Sequence, residues 1–162
     1  MHITLSKISR KFNYEWIFRD VNFSFELGKA YAILGSNGSG KSTLLQIISG
    51  HLHPSEGTIT YSRENNVIPV DEFFRCVTFS GPYLELIEEF TLEEMLTFHS
   101  HFRTFRNNMD VKDVMEATGL IRNRNKPIKY FSSGMKQLVR LAIALLTDSE
   151  VVLLDEPAAN LD

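Results

Sequence analysis

The residues Gly35-Ser36-Asn37-Gly38-Ser39-Gly40-Lys41-Ser42-Thr43 fit the pattern G-x-x-x-x-G-K-[ST], and the chemistry of that spacing is phosphate binding. The glycines let successive backbone N–H groups turn inward around an anion at a helix N-terminus. Lys41 carries a mobile positive charge able to reach β- and γ-phosphates, and Ser42 offers a hydroxyl to Mg²⁺. Thr43 is then placed for an outer phosphate oxygen. Two acids, Asp155 and Glu156, follow the aliphatic run Val151-Val152-Leu153-Leu154. Asp155 suits a Mg²⁺ contact through water, and Glu156 suits polarising an attacking water. Ser132-Ser133-Gly134 stands before a helical pattern, where small residues make a second anion site at a helix start.

These groups need a scaffold, and the pattern around them supplies one. Ala30-Tyr31-Ala32-Ile33-Leu34 reads as a strand buried on both faces, and Leu44-Leu45-Gln46-Ile47-Ile48 carries the loop on into a helix. Val151 to Leu154 reads as a second buried strand, with its acids at the carboxyl end where open α/β sheets bind ligands. Residues 2–8 alternate, as do Val21, Phe23, Phe25 and Leu27, which predicts an antiparallel β layer. Thr58–Tyr61 and Cys76–Phe79 read as further strands. From Pro82 to Lys129 the pattern is helical, with Leu92, Met95, Leu96, His99 and Phe102 at one spacing and Val111, Val114, Met115 and Thr118 at another. Thr91 and Glu94 have capping-box spacing, Asp110 suits a second cap, and Gly119 a stop. Lys136 to Thr147 places Leu138, Leu141, Ala142, Leu145 and Leu146 on one core-facing side. Phe12, Tyr14 and Trp16 lie between the strands of the β layer, where an exposed ring could stack on a nucleobase and the others serve the core.

Composition excludes several classes. The chain has 162 residues, 43% hydrophobic and 23% charged, which suits a globular domain with a core of its own. Net charge is −3, so there is no global footprint for nucleic acid. Cys76 is the single cysteine; it reads as a buried thiol and suits a reducing compartment. No apolar stretch reaches the ~20 residues that span a bilayer, so any membrane link runs through a partner. Charge is unevenly spread: Glu85, Glu88, Glu89, Glu93 and Glu94 crowd one stretch, while Arg122, Arg124, Lys126, Lys129, Lys136 and Arg140 are all basic. Two readings stand side by side, a pair of solvated faces, or a partner surface and a phosphate-facing end.

Taken together, the motifs resemble the nucleotide-binding domain of an ABC-type ATPase, and the resemblance runs end to end. Gly35–Thr43 is similar to the Walker A motif, Val151–Glu156 to Walker B with its catalytic glutamate, and Phe131-Ser132-Ser133-Gly134-Met135 to the signature usually written LSGGQ. Ala159-Asn160-Leu161-Asp162 resembles the D-loop, and Phe12 falls at the place of the adenine-stacking aromatic. The resemblance implies an α/β P-loop NTPase with a RecA-like core, an N-terminal antiparallel β layer and a helical subdomain. It implies one domain over 1–162, with core and β layer in 1–81 and 131–162 and the helical subdomain in 82–130. It implies ATP and Mg²⁺ as cofactors, with Lys41 and Glu156 catalytic, Gly35 to Thr43 and Phe12 on the nucleotide, and Ser42 and Asp155 on the metal. It further implies a head-to-tail homodimer in which Ser132, Ser133 and Gly134 act on the partner's ATP. Transmembrane transporter subunits would dock near Glu85–Glu94 and hold the chain at the cytoplasmic face of the membrane. A soluble ABC ATPase acting on ribosomes or nucleic acid is the alternative.

Three departures from the family pattern carry expectations. Ser80-Gly81 stands where the family has a glutamine, and Ser133 and Met135 replace a glycine and the glutamine of the signature. The chain stops at Asp162, before the strand and histidine with which the family continues. The C-terminal part of the fold is therefore expected to be absent, leaving an open slot at the centre of the sheet, weak stability and poor turnover for this chain alone.

Overall fold

The computed structural model describes residues 1–64, 66–81 and 85–159. They form two compact units, Met1–Val77 and Thr78–Asp162.

The first unit is built on an antiparallel sheet in the order β2-β1-β3-β4, from β1 (His2–Phe12), β2 (Glu15–Glu26), β3 (Glu56–Arg63) and β4 (Asn66–Ile68). Alternation in β1 buries Ile3 and Leu5 while His2, Thr4 and Ser6 face out. A bulge then shifts the register, and the next buried residues are Ile8 and Ser9. Gly57 belongs to this irregularity: its φ is +87°, and a Cβ there would run into the Lys7 carbonyl. Tyr61 of β3 is fully buried and stacks at 3.8 Å on Phe73 of the short helix α2 (Val70–Phe73). Its hydroxyl donates to the Ile48 carbonyl at 3.2 Å, at the end of the helix α1 (Lys41–Ile48). Burial pushes that phenol up to about 12, so the proton stays on and the donor is permanent. The sheet thereby holds the far end of the helix that starts at the phosphate loop. The expected β layer is formed.

The strand expected at Ala30–Leu34 is not formed. Among the described residues it has no ladder, and its side chains stand out, Leu34 being 89% exposed. An aliphatic run records a preference for burial, but a strand also needs a neighbouring backbone to take its N–H and C=O groups. The face expected of Val21, Phe23, Phe25 and Leu27 is likewise only partly covered; Phe23, Phe25 and Tyr31 cluster their rings at 4.8–5.6 Å, while Leu27 is exposed. Cys76 is half-buried rather than buried, with the Arg63 guanidinium 3.4 Å from its sulfur.

The second unit pairs β5 (Val77–Ser80, whose first residue belongs to the first unit) with β6 (Val151–Leu154). All four residues of β6 are half-buried, where the sequence predicts burial on both faces. Around this pair lie α3 (Leu92–Ser100), α4 (Val111–Ala117) and α5 (Ser133–Leu146). Thr91 and Glu94 close the expected capping box, and Asp110 with Asp113 closes a second. α4 gives way to Gly119 in the left-handed conformation. Leu92, Leu96, Val114, Met115, Ile128 and Val139 share one core, so α5 packs with the helical segment.

α5 turns only part of the expected side inward: Ala142 is buried and Leu146 packs against the core, but the face is rotated away from Leu138 and Leu145. Its buried residues are Gln137, Val139, Ala142 and Ala144, whereas Leu138 and Leu145 are 36% and 41% exposed. Periodicity marks two apolar stripes on this helix, and the core takes the Val139 stripe. The uneven charges also find each other. Lys136 pairs with Glu88, and Arg124 clasps Glu93 through Nε and a terminal nitrogen, both at 3.2 Å. To that extent the acidic and basic stretches neutralise each other within the unit rather than forming two separate faces. Among the described residues, no helix is long and apolar enough to cross a membrane.

Candidate functional site: a phosphate loop and a paired-acid turn

The phosphate loop belongs to the first unit. Gly40 is the N-cap of α1, at φ 90° and ψ 14°, and has no side chain with which to cap the helix. The first-turn N–H groups are therefore left to whatever anion the loop receives. A side chain at Gly40 is excluded twice over, by the left-handed backbone and by Ile17 and Phe18 of β2, whose atoms a Cβ would overlap. Gly38 is also left-handed but faces open space. Lys41 folds its ammonium back over the loop, donating to the carbonyls of Gly35 at 3.0 Å and Ser36 at 2.9 Å. Ser39 N–H donates to the Ser36 carbonyl at 3.2 Å and tightens the turn. Gly35, Ser36, Asn37, Gly38 and Ser39 are exposed, and Gly40, Lys41, Ser42 and Thr43 half-buried. Phe12 ends β1, 46% exposed, with the Arg10 guanidinium 4.5 Å above its ring. Tyr14 is fully exposed at the hairpin tip, and Trp16 is half-buried with Lys11 and Arg19 over it.

The acids belong to the second unit, at the end of β6. Asp155 is 4% exposed, and its Oδ2 is buried without a hydrogen-bond partner. Its backbone N–H donates to the Ser80 carbonyl at 2.7 Å, which joins the ends of β5 and β6. A buried carboxylate oxygen without a donor is a poor structural choice and a good cation ligand, so the residue fits Mg²⁺. Glu156 is exposed and stands at φ 48°, a left-handed conformation rare for a residue with a side chain. Such strain collects at functional turns. Ser132 is the N-cap of α5, its Oγ accepting the Met135 N–H at 3.2 Å, with Ser133 exposed and Gly134 half-buried in the first turn. The D-loop expected at Ala159–Asp162 lies, beyond Ala159, outside the described residues.

Two residues of this unit have a place that motif matching does not give. Gln137 is buried on α5, and its Nε2 donates to the Pro157 carbonyl at 3.1 Å, fastening the turn that follows Glu156. The signal was available, since a glutamine on the inward side of an apolar helix needs a polar partner. Ser80 is 2% exposed and ends β5, and its only polar side-chain atom is buried without a partner.

Comparison with known proteins gives the family and the fold. The family described as ABC transporter matches residues 18–159. The cytochrome c biogenesis ATP-binding export protein CcmA of Rhizobium etli is 33% identical over all of this chain and 76% of its own length. The energy-coupling factor transporter ATP-binding protein EcfA1 of Thermotoga maritima is 35% identical over all of this chain and 63% of its own. Among solved structures, the dimeric post-hydrolysis state of the ATP-binding cassette MJ0796, bound to ADP and Pi, superposes with a TM-score of 0.81 at 26% identity, covering 99% of this chain and 76% of that one. The chain belongs to the ABC transporter family and carries the α/β P-loop fold of its ATPase domains.

Proposed function

We propose that this chain binds MgATP and hydrolyses it as the energy-coupling domain of a membrane transporter, working as a head-to-tail pair. The observation that carries the reading is the phosphate loop, with its uncapped helix start and the Lys41 ammonium held over it by two carbonyls. Gly35 to Thr43 cradle the phosphates through backbone N–H groups, and Phe12 stacks on the adenine with the ring face that Arg10 leaves open. Ser42 directly and Asp155 through water are the residues that would hold Mg²⁺, which when bound would neutralise charge developing on the phosphates. Glu156 orients a water and accepts its proton as the water oxygen bonds to the γ-phosphorus. The bond to the β–γ bridging oxygen breaks in the same displacement, and ADP leaves. Ser132, Ser133 and Gly134 present an α-helix start to the ATP held by the other copy.

The domain division that goes with this reading is core and β layer in 1–81 and 131–162, with 82–130 as the helical subdomain. Relatives named as an ATP-binding export protein and a transporter ATP-binding protein, and a dimeric neighbour, support the transporter and dimer parts. The transmembrane partners dock at the Glu85–Glu94 stretch, whose first part, Glu85–Glu89, lines a concavity, and so recruit the chain to the cytoplasmic face of the membrane. Glu156→Gln and Lys41→Ala test the assignment together. The first retains ATP binding and loses turnover by about 10²–10⁴-fold, the size of a general-base contribution. The second loses tight binding. Unchanged turnover in Glu156→Gln removes that residue from the mechanism.

A further inference from the structure

Among the described residues, the buried side-chain nitrogens and oxygens without a hydrogen-bond partner are Arg10 Nε, Arg106 Nε, Ser80 Oγ and Asp155 Oδ2. The two arginines have other nitrogens engaged, Arg10 on the His53 carbonyl and Arg106 on the Thr147 carbonyl. Ser80 has a single polar side-chain atom, so its hydroxyl is wholly unpaired. The remaining two orphans are neighbours: the Asp155 N–H donates to the Ser80 carbonyl at 2.7 Å. Both residues are more than nine-tenths buried. A buried hydroxyl left alone is costly, and the same strand shows the ordinary remedy. Thr78, two residues earlier and on the same face, donates to the Ala144 carbonyl at 2.9 Å and lies 2.9 Å from the Ser149 hydroxyl.

Next to Ser80, Gly81 is closely hemmed in, and a side chain there would need its neighbours to give by a few tenths of an ångström. A Cβ there would lie 3.1 Å from the Phe79 ring and 3.3 Å from Asp155 Cβ. Among the described residues at this strand end, Ser80 is the one that offers Asp155 a polar side chain.

We propose that the Ser80 hydroxyl is a positioning group for the Asp155 carboxylate, the two oxygens together holding a water of the hydrated Mg²⁺ that accompanies ATP. The proposal rests on the assignment of Asp155 to the cation. Ser80 Oγ can donate to or accept from that water, and Asp155 Oδ2 accepts from it, so both orphans are satisfied when the cation is bound.

The test is the affinity of the chain for ATP, measured by calorimetry with Mg²⁺ and again with the metal chelated. The ratio of the two affinities is the gain due to Mg²⁺. Ser80→Ala lowers that gain by roughly tenfold, as for one charge-assisted hydrogen bond, and leaves metal-free ATP binding unchanged. Ser80→Cys, which keeps the shape but replaces the hydroxyl with a weakly hydrogen-bonding thiol, falls with it. If both variants keep the full gain while Asp155→Asn loses it, the proposal is overturned and the reading of Asp155 stands. If the parent chain shows no gain from Mg²⁺, the assignment of Asp155 fails and the proposal with it.

Discussion

Replacing Gly40 with alanine should damage the fold far more than the same change at Gly38, although both are glycines of one loop with positive φ. At Gly40 two costs add. The left-handed backbone, φ 90°, disfavours any Cβ by about 1–2 kcal/mol. The new methyl would also overlap Ile17 Cγ2 and come within 2.9 Å of Phe18 Cδ1, an overpacking that costs about 1–3 kcal/mol. The sum is about 2–5 kcal/mol, or roughly 10 °C in the melting temperature of a chain this size. At Gly38, φ 79°, a Cβ meets nothing within 4 Å, so only the backbone cost of about 1–2 kcal/mol applies. Thermal melts of the two single variants measure the difference. A third variant isolates its cause. Ile17→Ala removes the methyl that Gly40→Ala would strike, so the double variant should lose less than the sum of the two singles. Equal melts for Gly38→Ala and Gly40→Ala, or strict additivity with Ile17→Ala, would refute the argument from packing.

Stability should also fall on mild acidification through His99. Burial pulls this imidazole below its ordinary value, with the nearby Arg103 charge adding to the effect, while its Nε2 lies 2.8 Å from the Thr147 hydroxyl. The unfolded chain binds the proton more readily, so His99 costs nothing above about pH 6.5 and draws stability down as pH falls below it, by at most about 1.4 kcal/mol per unit. Urea melts between about pH 7.5 and pH 5.5 should lose this slope in His99→Gln; an equal slope in that variant would assign it elsewhere. At Glu156, glycine relieves the left-handed φ of 48° and should raise stability by about 1 kcal/mol while abolishing turnover. A lower melting temperature for Glu156→Gly would mean that the side chain, not the backbone, holds that turn.

Much of the site was legible because its chemistry is written in short, contiguous stretches. The phosphate loop needs glycine where φ is positive and a lysine one residue into the helix, and both demands appear in Gly35–Lys41 as residue identities. The capping box at Thr91 and the helix cap at Asp110 were readable for the same reason, since each closes within one turn. What failed depends on residues distant in sequence. Ala30–Leu34 has the composition of a buried strand, yet composition cannot supply the backbone that would pair with it. On α5, Leu138 and Leu145 match the helical period as well as Val139 does, and only the surrounding core decides which stripe is covered.

The same distinction explains the Asp155 turn. The sequence marks Asp155 and Glu156 as acids at a strand end, but the features that prepare them come from elsewhere in the second unit. Ser80 meets Asp155 across the β5–β6 pairing, and Gln137 holds the Pro157 carbonyl from α5. With the backbone fixed on both sides, Glu156 can be kept at a left-handed φ that it would not choose alone. Strain of this kind persists only where neighbouring hydrogen bonds over-determine the turn, so the pose of the exposed acid is set by hydrogen bonds that its own side chain does not make.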